Sequence, residues 1–307
     1  MSRSASTSTS RFSVRAGVLA ATAAVALSPV FGAGSAAAAT EQETGMDRSR
    51  NSAPGAVNHD TRLAHTLAPL VARAGHGVRL SAAVAPLDGT GGGARYAHGP
   101  TFDTASIVKV DVLAALLLRS QDDRKPLTER QKTLAADMIR LSDNDATTDL
   151  WHDLGGEKAL DAANRRLGLT GTHGGKGGEW GLTQTTADDQ LRLLRHVFAN
   201  EPGKGAPRPV FSAGNRAYLQ KLMGRVDPGQ AWGVSAAGSP CALKNGWLPR
   251  SATGRWDVNS VGRVTVGGHR YLVAVLSSGT PSMAHGVKLV EAAAKAAVGE
   301  IAPGGRH

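Results

Sequence analysis

The sequence predicts an α/β sandwich of the α+β kind: a five-stranded antiparallel sheet flanked by helices, with a mostly helical lobe beside it. Three observations carry this. Two strand-like stretches stand near the front of the chain, three more stand near its end, and between them residues 105–223 read as helices and one glycine-heavy loop. A sheet assembled from both ends of a chain, with a helical insert between, leaves a cleft where sheet and lobe meet, a usual place for a binding site.

The elements follow in order. Residues 59–74 (HDTRLAHTLAPLVARA) have a helical apolar spacing despite a proline. VRLSAAVAPL at 78–87 reads as a strand, GTGGGA as a hairpin turn and ARYAHG as a second strand. Residues 105–119 form an apolar helix, and 128–141 another, with Thr128 as N-cap after Pro126 and Leu127. Further helices are expected at 145–153, 157–167, 186–199 and 212–223, the loop GLTGTHGGKGGEWGLTQ lying before 186. CALKNGWL, GRWDVNSVGRVTVG and HRYLVAVLSSG are β-branched or alternate apolar with polar, and Gly267-Gly268 marks a hairpin between the last two. HGVKLVEAAAKAAVGEIA is a closing helix.

Residues 1–39 carry Arg3, Arg11 and Arg15, then the apolar run AGVLAATAAVAL and a string of small residues. This is the pattern of a secretory signal peptide, so secretion, or an extracytoplasmic location, is expected. The run is shorter than the roughly 20 residues a membrane span needs. Residues 40–57 read as a flexible leader, 58–300 as one domain and 301–307 as a tail.

The 307 residues hold 35 Lys and Arg against 25 Asp and Glu, a formal charge of +10. The basic residues are scattered, which suits solubility and a mild attraction to anionic surfaces such as cell wall. No basic helix or aromatic–basic module points to a nucleic-acid partner. The single cysteine, Cys241, excludes an internal disulfide and cysteine-based metal sites, and the ten histidines form no metal-binding pattern. Neither metal nor cofactor is expected, and the protein is expected to be a monomer.

Three short motifs carry chemistry. In FDTASIVKVDVLAALLL, Ser106 stands at a helix start and Lys109 three residues on, so the two share a face. The positive end of a helix favours a developing alkoxide, and a desolvated lysine loses its proton readily, so Lys109 is placed to act as base toward Ser106. Among the lysines, Lys109 alone has a serine three residues before it. Ser142-Asp143-Asn144 follows a helix, and capping alone would account for those residue types. Lys244-Asn245-Gly246-Trp247 lies in a strand, where a glycine often marks close approach of a ligand or another backbone.

Together, in this order and on these elements, the motifs resemble the serine penicillin-recognising enzymes, in particular the class A β-lactamase group with its S-x-x-K, S-D-N and K-[ST]-G motifs. The resemblance spans residues 59 to 299. It implies that Ser106 is an acylated nucleophile, that Lys109 is its partner, and that Ser142 relays a proton to the leaving nitrogen. It also implies that Asn144 contacts a substrate amide, that Lys244 polarises Ser142 and attracts a carboxylate, and that Asn245 and Gly246 adjoin the substrate. The backbone N–H groups of Ser106 and Trp247 would form an oxyanion hole, and Arg263 would help hold a carboxylate.

The chain departs from the group in three ways. The strand motif is K-N-G, without the compact hydroxyl. The stretch from Ser106 to Ser142 is short. The E-x-x-x-N signature of the loop that supplies the deacylating base is missing, and Glu179 is the one carboxylate in the corresponding loop. Three functions are therefore expected to compete. The first is β-lactam hydrolysis through an acyl-enzyme at Ser106. The second is a D-Ala-D-Ala carboxypeptidase or esterase that needs no such glutamate. The third is a non-catalytic protein binding cell-wall fragments or β-lactams. The substrate is a small molecule or a peptidoglycan-derived one.

Overall fold

The computed structural model describes residues 58–87, 92–199 and 210–303. The expected signal peptide and leader, and the first half of the expected GTGGGA turn, lie outside these. In chain order the elements are α1 (His59–Ala74), β1 (Arg79–Pro86), β2 (Ala94–Tyr96), β3 (Phe102–Asp103), α2 (Val108–Asp122), α3 (Glu129–Arg140), α4 (Asn144–Leu154) and α5 (Gly156–Leu167). They continue with β4 (Gln184–Thr185), α6 (Ala187–Phe198), α7 (Ala213–Met223), β5 (Ala242–Arg250), β6 (Arg255–Val266), β7 (His269–Thr280) and α8 (Met283–Ile301).

The main sheet has the order β2-β1-β7-β6-β5 and is antiparallel throughout. It is the sheet the sequence predicts, built from both ends of the chain. Alternation along β7 explains its central place. Tyr271, Val273 and Val275 enter one core with α1 and α8, while Leu272, Ala274 and Leu276 enter the other with α2 and α6. A strand buried on both faces must be apolar at every position, which is why YLVAVL shows no polar residue. β3 and β4 form a separate two-stranded ribbon.

Local signals set the helix ends. Thr128 caps α3 in a reciprocal capping box with Gln131, as T-x-x-Q predicts. The helix expected from Ala105 instead begins with a 3₁₀ turn over Ala105–Ile107, and α2 proper starts at Val108. Ser106 is therefore two residues before the first residue of the α-helix, in the middle of the 3₁₀ turn. α2 is buried on every side from Val108 to Leu118, including Lys109 and Asp111, as befits a helix enclosed between sheet and lobe.

Asp111 is fully buried, and burial pushes its carboxyl up to about 7 against the Gln190 hydrogen bond that pulls it down. The Gln190 amide donates to both carboxylate oxygens at 3.3 and 3.4 Å, and to Thr185 Oγ1 at 3.1 Å. A raised carboxyl pKa means the folded state resists ionisation that the unfolded chain accepts near 4. Stability is therefore lost as pH rises from about 4 to about 7. Asp111→Asn keeps an acceptor for Gln190 and removes this cost. Its stability gain over the parent is expected to be larger at pH 8 than at pH 4 by roughly 2–4 kcal/mol, read by urea denaturation at the two pH values.

Candidate active site

Two lysines converge on one hydroxyl. Lys109, from the first turn of α2, donates to Ser142 O at 2.7 Å, to Ser142 Oγ at 3.2 Å and to Asn144 Oδ1 at 2.8 Å. Lys244, from β5, donates to the same Ser142 Oγ at 2.9 Å and to the Asn245 carbonyl at 2.8 Å. Both lysines are almost wholly buried, at 0 % and 1 % exposure. Burial pulls Lys109 down to about 7, with the Asp143 carboxylate opposing. It pulls Lys244 well below its ordinary value, helped by the charge of Lys109.

The turn that offers Ser142 is strained. Ser142 has φ +61°, a left-handed conformation that costs a non-glycine residue about 1–2 kcal/mol. Its neighbours hold it there: Leu141 ends α3, and the Asp143 side chain caps α4 by accepting from Ala146 N at 2.7 Å. In this conformation the carbonyl and the hydroxyl of Ser142 both reach Lys109. Ala105, just before the nucleophile candidate, also has a positive φ, +47°.

Ser106 is brought against β5 by a missing side chain. A Cβ on Gly246 would lie 2.7 Å from Ser106 N, 2.8 Å from Thr104 O and 2.9 Å from Ile107 N. All three are backbone atoms that cannot swing aside, so only glycine permits this approach. Directly across the strand pair from Gly246 is Asn259, fully buried on β6. Its amide donates to Asp103 O at 2.8 Å and Thr104 O at 3.0 Å, and its Oδ1 accepts from Ser277 N at 3.0 Å. Asn259 pins the chain that enters the 3₁₀ turn. The sequence reading missed it, although a polar residue within the apolar strand DVNSVG was a signal.

A cavity of about 360 Å³ opens above these groups, walled by Ser106, Asn144, Thr148, Glu179, Trp180 and Trp247 among others. The glycine-heavy loop supplies the far wall and is tied at its base. Asp189 Oδ2 accepts from Gly171 N and Thr172 Oγ1, each at 2.8 Å, and His173 and Gln184 exchange backbone bonds at 2.9 Å. Trp180 stands over Lys109, its ring centroid 5.0 Å from Nζ, and its indole N–H donates to Thr148 Oγ1 at 3.2 Å. Neither Trp180 nor Thr148 was anticipated.

The structure thus gathers Ser106, Asn144, Glu179 and Trp247 around one cavity, with Lys109, Ser142 and Lys244 joined beside Asn144 and Gly246 beneath Ser106. Ser106 Oγ makes no hydrogen bond to Lys109 among the described residues, although the two were expected to face each other. Glu179 is exposed on the wall. Two residues are placed otherwise than expected. Strand alternation sends Lys244 and Gly246 to the lobe face and Asn245 to the other, where its amide donates to Gln230 O at 2.7 Å and Trp232 O at 2.9 Å. Asn245 is 1 % exposed and closes the loop beneath β5 instead of meeting the cavity. Arg263 stands outside the cavity wall, its guanidinium 5.6 Å from the Phe198 ring. Among the described residues no cluster of His, Cys, Asp or Glu could hold a metal ion, and no helix is long and apolar enough to cross a membrane.

Residues 130–301 match the Beta-lactamase enzyme family. A search of curated protein sequences gives no match. Solved structures share the fold at low identity. A class A beta-lactamase from Bacteroides cellulosilyticus superposes with TM-score 0.64 and 17% identity, over 78% of this chain and 97% of its own. A beta-lactamase from Burkholderia phymatum gives 0.63 and 18%, over 80% and 99%. A mutant of PBP-A, solved as its acyl-enzyme complex with penicillin G, gives 0.62 and 21%, over 77% and 94%.

Gly246→Ala tests the close approach of β5 to Ser106. The added methyl forces the two backbones apart, and a displacement near 1 Å costs about a hundredfold in a positioned reaction. Modification of Ser106 by a fluorophosphonate probe is expected to slow by about that factor, with the circular dichroism spectrum unchanged. A rate equal to the parent's would show that the contact does not position Ser106.

Proposed function

The chain belongs to the beta-lactamase enzyme family, whose match covers more than half of its length, and from that premise we propose that it is a secreted serine hydrolase that opens β-lactam amides through an acyl-enzyme at Ser106. The observation that carries this is the clasp of Ser142 Oγ by Lys109 and Lys244 beside a cavity that Ser106 and Asn144 both line.

The proton path follows from the bonds. Lys109, with its pKa near 7, is neutral in a large fraction of molecules at neutral pH. Its lone pair takes the Ser106 proton as Oγ attacks the lactam carbonyl carbon; hydrogen bonds of this kind tighten when substrate binds. The carbonyl oxygen gains negative charge against the backbone N–H groups of Ser106 and Trp247. The C–N bond then breaks. The nitrogen takes the Ser142 hydroxyl proton, and Lys109 returns a proton to Ser142. Lys244 holds Ser142 Oγ in place and offers positive charge to a substrate carboxylate. Glu179 is the carboxylate on the cavity wall and the group available to activate the water that releases the acyl chain.

A second function has its own support. Trp180 covers Lys109 from the loop side with an apolar ring. That arrangement keeps water from Lys109 after acylation and suits a D-Ala-D-Ala carboxypeptidase or esterase that forms a long-lived adduct with penicillin.

Intact mass after mixing with a penicillin separates these. The expected result is an adduct on the parent that decays within minutes and never forms on Ser106→Ala. A lasting adduct supports the second function, and no adduct removes both. The acylation rate is expected to rise with pH to a midpoint near 7 and then level, because the neutral form of Lys109 is the base. A rate that is flat from pH 5 to 9 would remove Lys109 from that role.

A further inference from the structure

A second cavity, of about 390 Å³, lies on the helical lobe between α3 and α7, away from the residues described above. Its floor is apolar, formed by Ala136 and Leu222, and its rim holds Lys132, Arg140, Lys221 and Arg225, all exposed. Against these four cations stands one lining carboxylate, Asp137. Lys132 is partly matched by Glu129, at 2.7 Å on the exposed side of α3. Arg140, Lys221 and Arg225 form no ion pair among the described residues; Arg140 Nε donates to the Arg225 carbonyl at 3.0 Å.

The cations form a row. Tyr218 OH donates to Lys132 O at 3.2 Å, fixing the middle of α7 beside the first turn of α3. The Arg140–Arg225 bond fixes the last residue of α3 beside the chain just after α7. Eight residues of helix separate Lys132 from Arg140, a rise of about 12 Å. Lys221 falls between, on the opposite bank. A single phosphate or carboxylate would meet one end of such a row, whereas a flexible chain with regularly repeated charge would meet all of it.

We propose that this groove is a binding site for a linear polyanion of the phosphodiester or polyphosphate type, distinct from a nucleic acid. Single-stranded nucleic acid is held by stacking on exposed rings as well as by charge. The one ring here, Tyr218, is about half-buried, with its hydroxyl tied to Lys132. The groove ends at Arg140, two residues before Ser142, and Asp227 N bonds the Arg140 carbonyl at 2.9 Å. A polymer seated there would hold the protein with its catalytic turn beside the surface that carries the polymer. The inference stands on the charges and shape of the groove and does not depend on the reaction proposed above.

The test is fluorescence anisotropy with end-labelled inorganic polyphosphate and the full chain, at low and physiological salt. Lys221→Glu with Arg225→Glu is expected to weaken binding at least about tenfold and to reduce the slope of log affinity against log salt by about two. Lys288→Glu with Lys295→Glu, the same charge change on exposed positions of α8, is expected to change affinity less than twofold. Lys221→Gln with Arg225→Gln gives a milder version should the first pair fail to fold. Equal losses from both pairs would show attraction by net charge alone and overturn the site. So would absence of binding by the parent at low salt, or tighter binding of a single-stranded oligonucleotide of equal phosphate number.

Discussion

The structure depends on two buried lysines sharing a single serine hydroxyl. Among the described residues no carboxylate bonds either amine, the Asp143 charge acting on Lys109 only through space; what they meet is Ser142, Asn144 and the Asn245 carbonyl. Removing an ammonium from water without a counter-charge costs several kcal/mol. The protein lowers that cost in two ways. It supplies an acceptor for each donor it can, and it leaves the amines easier to deprotonate than free lysine. A lysine that is inexpensive to keep neutral is also one that can take a proton from a neighbour. The energetic problem and the chemical capacity have the same origin.

That sharing constrains several other features. Ser142 must adopt a left-handed backbone so that its carbonyl and hydroxyl face the same amine. β5 must carry Lys244 on its lobe face and no side chain at 246, since both point toward α2 and its preceding turn. Asn259 must stand opposite Gly246 and hold the chain just before Ser106. α2 is buried all round, and its first turn carries both the Lys109 amine and the Asp111 carboxyl. The loop from Gly171 to Gln184 is closed at its base by Asp189 and by the His173–Gln184 pairing, and so it can present Glu179 and Trp180 as a wall.

Much of this was legible in the sequence. Periodicity and turn residues located the sheet strands and the α-helices: α3 and α6 are amphipathic and capped by Thr128 and Thr186, whereas α2 and β7 read as mostly apolar runs. Order along the chain showed that the sheet draws on both ends. The motif lysines and serines were legible because their types are unusual in apolar surroundings. What escaped were facts of tertiary approach. Asn245 reads as part of a motif with Lys244, yet strand alternation separates their side chains to opposite faces. Trp180 reads as a loop residue, and its place over Lys109 depends on how the loop folds back. Arg263 reads as a holder of a substrate carboxylate, yet its guanidinium stands against Phe198 at the end of α6.

The strand order has a consequence for the life history of the molecule. Arg79 of β1 pairs with Ser278 of β7, so the first strand waits for the last. Lys244 reaches Ser142 across 102 residues of chain. A polypeptide threaded out from its N-terminal end therefore presents Ser142 and Lys109 long before Lys244 arrives to join them. The clasp of Ser142 is complete only once β5 has folded against the lobe, so every shorter nascent form lacks it.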